Sequence, residues 1–360
     1  MVRFGSCDAT DPRPDSMAGG TLRHFYNEYH GHRVKDLETL ADTLPCGRGT
    51  IYLVGDSTLD NKYWLGSERE PACNGYERCL APPRSTPDVA YWINRECEER
   101  GFGHVLCCVN AAIEESTLGL RDGDKLLPQD AFVQRRLCEK DVIVVSMGGN
   151  DIALRPTIAT VICMLMLLST PTWLLEAGIA PGISHFVRLF RHGTGRYLRN
   201  LIKEQQPRCV VCCMLYYLDE RPGGSWADFT LEKLGYNKEP KKLQYIMREV
   251  YRRGTSHIDL GGVPVVPVPL YEALDGKDTL DYVQRVEPSS AGGRKLARLI
   301  MDRLQQALGG EKAVAAGGAT TSPADAATST CHGASSQLLP PPWTPQQEVA
   351  EMPSPVHRRP

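Results

Sequence analysis

Short runs of apolar, often β-branched residues alternate along the chain with longer segments of helical periodicity. Continuous apolar strands separated by helices are typical of a parallel sheet that is covered on both faces. The predicted strands are Thr50–Val54, Val105–Val109, Val142–Ser146, Cys209–Tyr216 and Val263–Val268. The predicted helices are Val34–Leu44, Asp88–Arg100, Thr157–Leu175, Phe186–Glu204, Lys241–Arg253 and Ala291–Ala307. The pattern therefore predicts a three-layer α/β/α sandwich with about five parallel strands.

The two ends of the chain differ from this body. Residues 1–47 form a predicted N-terminal extension, in which we expect the first 20 residues to be a flexible leader. From residue 309 the composition shifts to Ala, Gly, Ser, Thr and Pro. Such a segment buries too little apolar surface to offset its chain entropy, so we predict a disordered tail over 309–360. The folded domain is predicted to span 48–308.

The charge of the chain argues against a polyanionic partner. Its 41 basic and 43 acidic residues give a formal net charge of -2. No basic field is therefore available to hold nucleic acid, and we expect none to bind. No feature of the sequence indicates an obligate protein partner.

Cysteine usage and the N-terminal sequence indicate the compartment. The chain has 13 cysteines, several of them within apolar strand-like runs, and it has no signal-peptide pattern. These features predict free thiols in a reducing compartment, the cytoplasm. The run Cys209–Cys213 lacks a second ligand pair, so we expect buried packing there rather than a metal site. No metal and no cofactor are expected.

Candidate chemistry follows the ends of the first three predicted strands. Ser57 follows the first strand, and Gly55 permits the tight turn that exposes a hydroxyl. Asn150 follows the third strand, and Ile113–Thr117 forms a loop after the second. Because the carboxyl ends of parallel strands share one edge, we expect these groups to converge. A serine nucleophile needs N–H donors for its oxyanion, and an Asn amide can supply one.

Two short motifs at these strand ends resemble those of a known enzyme family. Gly55-Asp56-Ser57, followed by Gly148-Gly149-Asn150-Asp151, resembles the GDSL/SGNH hydrolases, which are esterases, lipases, thioesterases and deacetylases on a flavodoxin-like sandwich. The resemblance implies that Ser57 is the nucleophile. It also implies an oxyanion hole made of the Ser57 N–H, a backbone N–H near Glu115 and the Asn150 side chain. Further pocket residues would be Asp56, Gly149 and Asp151. The ordinary alternative is a capped strand-to-helix turn and a glycine turn.

The sequence departs from the family pattern at two positions. Glu115 stands at the family's usual glycine in the second block, which requires a local φ that a residue with a Cβ can adopt. The family's Asp-x-x-His block is replaced by Gln284-Arg285-Val286-Glu287. The histidine that serves the family as general base is therefore absent at its expected position.

Glu287 is the first candidate for the missing base. A free Glu is a weaker base than His by about 3 kcal/mol, from pKa values near 4.3 and 6.5. Burial or a neighbouring carboxylate recovers most of that difference. Asp151 or Asp281 would be the neighbour. The alternative is that Glu287 forms an ion pair with Arg285 or Arg294 and leaves Ser57 weakly activated.

His185 is the alternative base. It lies on the segment that leaves the third predicted strand at the same edge as Ser57. His104 and His257 precede strands and so belong to the opposite edge. An ordinary polar role for His185 in a lid is the other interpretation.

Residues 156–175 carry no charge, and their number matches a membrane span. Pro171 and the position of the segment inside a strand-to-strand crossover argue against a span. Two interpretations stay open, a buried crossover helix and an apolar lid over the serine. A lid would indicate lipid-like acyl substrates or peripheral membrane contact through 156–175.

Together these features predict a serine-dependent hydrolase of an ester or thioester. Its substrate would be a small-molecule or lipid-like acyl compound. Two alternatives remain, a non-catalytic binding protein on the same fold and an acyltransferase in which an alcohol intercepts the acyl-serine.

Overall fold

The computed structural model describes residues 21–45 and 47–316, with side chains up to residue 309. A five-stranded parallel sheet lies at its centre. The strands are β1 (Gly49–Gly55), β2 (Leu106–Asn110), β3 (Val142–Ser146), β4 (Cys209–Met214) and β5 (Val265–Pro269). Their order across the sheet is β2-β1-β3-β4-β5. This is the order of flavodoxin-like sheets, and it places the ends of β1 and β3 side by side.

Helices cover both faces of the sheet. They are α1 (Val34–Thr43), α2 (Val89–Glu99), α3 (Pro128–Arg136), α4 (Gly149–Ala153), α5 (Ile158–Ser169), α6 (Thr172–Glu176), α7 (Ile183–Arg188), α8 (Thr194–Leu201), α9 (Asp228–Lys233), α10 (Pro240–Arg253) and α11 (Ser290–Ala316). A π-helical turn, Leu189–Gly193, joins α7 to α8. Short 3-10 turns occur at Lys62–Leu65, Tyr76–Arg78, Gly119–Arg121, Thr255–His257, Leu270–Glu272 and Thr279–Asp281. Two small antiparallel ribbons pair Glu70–Pro71 with Arg84–Ser85, and Tyr282–Val283 with Glu287–Pro288.

Alternating side chains of the strands divide between two cores. On one face, Tyr52 and Val54 of β1 pack with residues of α1, α3 and α8. On the other, Ile51 and Leu53 pack with residues of α2 and α11. This alternation is the period of two that a strand imposes. The predicted three-layer α/β/α sandwich with five parallel strands is confirmed.

Two predicted helices differ in detail from the structure, and one helix of the structure was not predicted. The predicted helix Thr157–Leu175 is two helices, α5 and α6, because Pro171 has no N–H to donate and its ring clashes with the preceding turn. The predicted helix Phe186–Glu204 begins three residues earlier and contains the π turn. Helix α3 was not predicted, because its Gln- and Arg-rich sequence gives only a weak apolar stripe.

The boundaries of the predicted domain also differ. Helix α11 continues to Ala316, past the boundary predicted at residue 308. The rest of the predicted tail and the predicted leader lie outside the described residues. Cysteines of the strands, such as Cys108 and Cys212, are free and buried, as predicted. In the described part of the chain, each helix is too short or too polar to cross a membrane.

Candidate active site

Ser57 lies two residues beyond β1, on a turn that crosses the end of β3. Gly55 has a φ of 125°, and a Cβ there would lie 1.9 Å from the carbonyl oxygen of Ser146. Only glycine fits this close approach of the two strands. The Asp56 N–H donates to the same oxygen at 3.1 Å. The turn leaves Ser57 9% exposed, nearly buried beneath neighbouring loops.

Glu287 faces Ser57. The Ser57 hydroxyl is directed at Oε1 of Glu287 with an O···O distance of 3.5 Å, which is longer than a usual O–H···O hydrogen bond. The ribbon strand that carries Glu287 is fixed at two points. Asn61 Nδ2 donates to the carbonyl of Pro288 at 3.0 Å, and the Tyr216 hydroxyl donates to the carbonyl of Val286 at 2.6 Å. The sequence thus brings a carboxyl group, in place of the family's imidazole, to the serine.

Burial raises the pKa of Glu287 above the ordinary glutamate value. The hydrogen bond from Ser57 acts in the opposite direction, and the nearby carboxyl groups of Asp56, Asp60 and Glu115 raise the pKa further. Within the described chain, Oε2 of Glu287 accepts no hydrogen bond. The group therefore holds its proton more tightly than an exposed Glu does.

The predicted alternative, an ion pair of Glu287 with Arg285 or Arg294, is wrong. Arg285 is buried and directs its guanidinium to Asp228, at 2.7 Å, and to the carbonyl of Asp219. The Arg294 guanidinium lies over the ring of Trp92. Gln284, at the family's Asp position, accepts a hydrogen bond from the backbone of the loop after β4.

The two carboxylates predicted as neighbours of Glu287 have other partners. Asp151 accepts hydrogen bonds from the backbone N–H groups of Leu118, at 2.9 Å, and Gly119, at 3.1 Å. Asp281 pairs with Lys295 at 2.7 Å. Asp151 therefore supports the loop after β2, and Asp281 joins the last ribbon to α11.

Glu114 is the carboxyl group that the sequence analysis missed. Burial raises its pKa, and the charge of Glu287 raises it further. Trp64 Nε1 donates to Glu114 Oε1 at 3.1 Å, whereas Oε2 has no hydrogen-bond partner among the described residues. The only available signal was the position of Glu114 beside Glu115 in the loop after β2. The direction of its side chain could not be inferred from that position.

Besides the Ser57 N–H, the expected oxyanion donors come from two loops. Glu115 has a φ of 58°, so it adopts the left-handed conformation that the family's glycine would take without strain. Asn150 Nδ2 donates to the carbonyl of Ser116 at 3.1 Å, which leaves its second amide hydrogen for another acceptor. This bond ties Asn150 to the loop that carries Glu115.

Asp56, after β1, and Gly149, after β3, lie close to each other. A Cβ at Gly149 would lie 3.5 Å from Leu215 and 3.9 Å from Oδ2 of Asp56. Oδ1 of Asp56 accepts from the backbone N–H of Thr58 at 3.2 Å. Burial raises the pKa of Asp56 to about 7, although these hydrogen bonds act in the opposite direction.

His185 has partners of its own. Its Nε2 lies 3.0 Å from Oγ1 of Thr160 on α5, and its ring packs edge-on against Phe186. Burial and the nearby Arg188 lower its pKa. No hydrogen bond joins it to Ser57 in the part of the chain that the structure describes. The alternative base therefore lies among α5 and α7 residues rather than at the serine.

The N-terminal segment also reaches the site, although its histidines could not be placed from the sequence. Tyr29 donates its hydroxyl hydrogen to Oε1 of Glu115 at 3.1 Å, and His30 Nδ1 lies 3.3 Å from the carbonyl oxygen of Glu114. The Gly31 N–H donates to Oδ2 of Asp60 at 3.0 Å, and the Glu114 N–H donates to the same oxygen at 3.1 Å.

This arrangement suits acyl-transfer chemistry at a hydroxyl group. A buried carboxyl with a raised pKa lies at the serine, and it can exchange a proton near neutral pH. The Asn150 amide and the loop that carries Glu115 are joined by a hydrogen bond, and both belong to the donors expected for an oxyanion. Among the described residues, no cluster of side chains could hold a metal ion.

No protein-family model matches the sequence, and no curated protein matches it. Solved structures do. A proposed GDSL-like lipase from Parabacteroides merdae is 16% identical over 72% of this chain and 98% of its own, with a TM-score of 0.38. An acetyl xylan esterase from Geobacillus stearothermophilus is 14% identical over 72% and 95%, with a TM-score of 0.38.

An extracellular lipase from Streptomyces rimosus is 12% identical over 71% of this chain and 98% of its own, with a TM-score of 0.36. These three solved structures are thus two lipases, one of them described as GDSL-like, and an acetyl xylan esterase.

Proposed function

We propose that this chain is a serine-dependent hydrolase of esters or thioesters of a small-molecule or lipid-like acid. One observation carries the proposal: the Ser57 hydroxyl donates to the buried carboxyl group of Glu287. A nucleophilic hydroxyl needs a base within hydrogen-bond reach, and apo structures often hold that bond longer than the reacting complex does.

In the proposed reaction, Ser57 Oγ attacks the acyl carbonyl carbon while its proton passes to the Glu287 carboxylate. The carbonyl oxygen becomes an oxyanion, which would accept hydrogen bonds from Asn150 and from the backbone N–H groups of Ser57 and Glu115. When this tetrahedral intermediate collapses, the bond to the alcohol or thiol breaks, and Glu287 gives the proton to that leaving group. Glu287 then takes a proton from a water molecule, which attacks the acyl carbonyl carbon. The bond from that carbon to Ser57 Oγ breaks, and Glu287 returns the proton to Oγ, so that the acid and the free hydroxyl are released.

The raised pKa is what allows a glutamate to serve in this role. An exposed Glu, ionised throughout the neutral range, has little affinity for the serine proton. Burial of Glu287 raises that affinity towards the value of an imidazole, because the charged form loses its solvation. A general base works best when its pKa lies near the working pH.

The test is covalent labelling by a fluorophosphonate, in which Ser57 displaces fluoride from phosphorus. We expect the full chain to be labelled and to hydrolyse p-nitrophenyl esters. Ser57→Ala should abolish both, whereas Ser256→Ala, which changes a half-buried serine outside the site, should change neither. Labelling that persists in Ser57→Ala would overturn the assignment of the nucleophile.

A second candidate, a non-catalytic acyl-binding protein, is favoured by the same raised pKa. At neutral pH a protonated Glu287 donates a hydrogen bond instead of accepting the serine proton. The pH dependence of labelling distinguishes the two candidates. A hydrolase should label faster at pH 9 than at pH 6, after allowance for the probe's own hydrolysis. Absence of labelling at both pH values would favour the binding protein.

A further inference from the structure

Helix α5 has two apolar faces, and only one of them packs on the protein. Met164 and Leu167 are buried against residues of α7 and α10. The opposite face is exposed: Ile158 is 82% exposed and Leu165 is 58% exposed. A helix that is apolar on all sides normally lies wholly within a core or a membrane. Within the described chain, no element covers this outer face.

The exposed surface continues beyond Pro171. Trp173 on α6 is 67% exposed, and Ile179 in the turn that follows is 66% exposed. Exposed apolar groups this dense mark an interaction site more often than a free surface. We use "apolar face" for the set Ile158, Val161, Ile162, Leu165, Met166, Trp173 and Ile179.

Basic residues flank the apolar face. Arg155 precedes α5, and Arg188 lies close enough to His185 to lower its pKa, while His185 itself contacts Thr160 of α5. At the other end of the helix, Lys242 donates to the carbonyl of Leu168. Two carboxylates near this surface are Glu176 and Glu239, the second of which accepts a hydrogen bond from Thr172.

Lys and Arg also outnumber Asp and Glu in the sequence around the apolar face. Residues 155–253 carry 15 Lys and Arg and eight Asp and Glu, whereas the rest of the chain carries 26 and 35. The apolar face therefore belongs to a part of the sequence with a positive balance of charge. A second copy of the chain would bring two such basic regions together, which disfavours a symmetric contact through this face.

We propose that the apolar face docks on a lipid surface that carries anionic headgroups. Its apolar side chains enter the boundary between headgroups and acyl chains, and the flanking Arg and Lys residues contact the headgroups. Tryptophan suits the position of Trp173, since its ring prefers the membrane–water boundary. Helix α4, which carries Asn150, ends at Ala153, and α5 begins at Ile158, so the docked helix follows α4 directly along the chain. The proposal does not depend on the reaction at Ser57.

Co-sedimentation of the full chain with phosphatidylcholine vesicles, with and without phosphatidylserine, tests this proposal. We expect the chain to sediment with the phosphatidylserine vesicles and to be released as the salt concentration rises. Leu165→Glu should weaken binding at least tenfold. Leu280→Ser is the matched control, because Leu280 is also exposed but lies outside the apolar face. It should bind as the unmodified chain does.

Three results would overturn the proposal: no binding to either vesicle, Leu165→Glu binding as the unmodified chain does, or Leu280→Ser losing as much as Leu165→Glu. Trp173→Ser provides a second, independent disruption if Leu165→Glu perturbs the helix, and circular dichroism checks the fold of each variant. Light scattering should find one mass for the unmodified chain and for Leu165→Glu. A dimer that Leu165→Glu dissociates would instead assign the face to a second copy.

Discussion

Two groups of buried charges among the described residues differ in their partners. The first group is fully paired. Arg121 binds Asp130 through two nitrogens, at 2.7 and 3.2 Å, and Lys62 lies 2.6 Å from Asp60. The second group gathers around Ser57 and is incompletely satisfied. Within the described residues, one oxygen of each of three carboxyl groups lacks a hydrogen bond: Glu287, Glu114 and Asp56.

The difference separates what holds the fold from what we propose performs chemistry. A buried charge costs free energy unless a counter-charge and hydrogen bonds compensate it. The first group is compensated, so removing one partner leaves the other stranded. The second group raises the free energy of the folded state, and such groups concentrate at functional sites, where a shifted pKa is useful. Substitutions in the first group should therefore lower stability, whereas substitutions in the second group should lower activity instead.

The largest expected effect is that of Glu287→Gln on turnover. Gln cannot accept the serine proton, so kcat should fall by about 10² to 10⁴-fold, the range that general-base catalysis supplies. Stability should change in the other direction. The raised pKa of Glu287 makes the folded state lose stability as pH increases from the ordinary glutamate value through the raised one, and Gln abolishes that loss.

Ester hydrolysis measures the first effect, and urea unfolding at pH 5 and pH 9 measures the second. His185→Ala is the control, because its partners are Thr160 and Phe186, and it should keep near-normal turnover. If His185→Ala abolishes turnover while Glu287→Gln does not, the base has been misassigned.

Asp130→Asn should have the largest effect on stability. Asp130 accepts from Arg121 and from the Tyr197 hydroxyl, all of them buried. Loss of its charge leaves the Arg121 guanidinium uncompensated, which costs about 3–5 kcal/mol. Urea unfolding at neutral pH measures the free energy of unfolding. Asp122→Asn, which removes an exposed partner of Arg196, is the control and should cost about 1 kcal/mol or less.

Equal losses of stability in Asp130→Asn and Glu287→Gln would contradict the distinction between the two groups. The comparison is informative because both substitutions replace a buried carboxyl group with a neutral amide of nearly the same shape.

Much of the fold was predictable because its signals are local. Val142–Ser146 was predicted to the residue, since a short β-branched run between polar turns has few other structures open to it. Ser57 and Asn150 follow directly, because a residue just past a parallel strand lies at a known edge of the sheet. Glu287 was found from its place in a motif block, although its contact with Ser57 could not be read from that place.

The rest of the site depends on packing that has no local signal. Tyr29 reaches Glu115 across 86 residues of sequence, from a segment without periodicity. Glu114 and Glu115 are adjacent, but a turn with a left-handed residue directs their side chains to different partners. Neither interpretation of 156–175 states what the structure shows, which is that α5 is buried on one face and exposed on the other.

The pH dependence sharpens the comparison further. Turnover requires ionised Glu287, so it should increase with pH, with a midpoint well above the ordinary glutamate value because burial raises the pKa. The charge of Glu115 adds to that rise. Glu115→Gln should therefore move the midpoint to lower pH, by less than about one unit, while an Oε1 acceptor for Tyr29 is kept.

The profile of kcat/KM between pH 4 and pH 10 measures the midpoint for both forms. Glu68→Gln, an exposed substitution away from the site, should leave the midpoint in place. A midpoint near 4 in the unmodified chain would show that the group at the serine titrates as an ordinary exposed carboxyl group. It would contradict the assignment of Glu287 to the second group, whose carboxyl groups are buried.

The smallest effect concerns Tyr29, which we expect to position the loop rather than to contact substrate. Glu115 holds a φ of 58°, which costs a residue with a Cβ about 1–2 kcal/mol, and the Tyr29 hydroxyl fixes its side chain. Tyr29→Phe should lower kcat about threefold to tenfold with little change in KM, because the Glu115 N–H would be held less firmly. Glycine adopts this φ without strain, so Tyr29→Phe should have no further effect in a Glu115→Gly background. An equal loss in both backgrounds would mean that Tyr29 acts through the general stability of the N-terminal segment and not through Glu115.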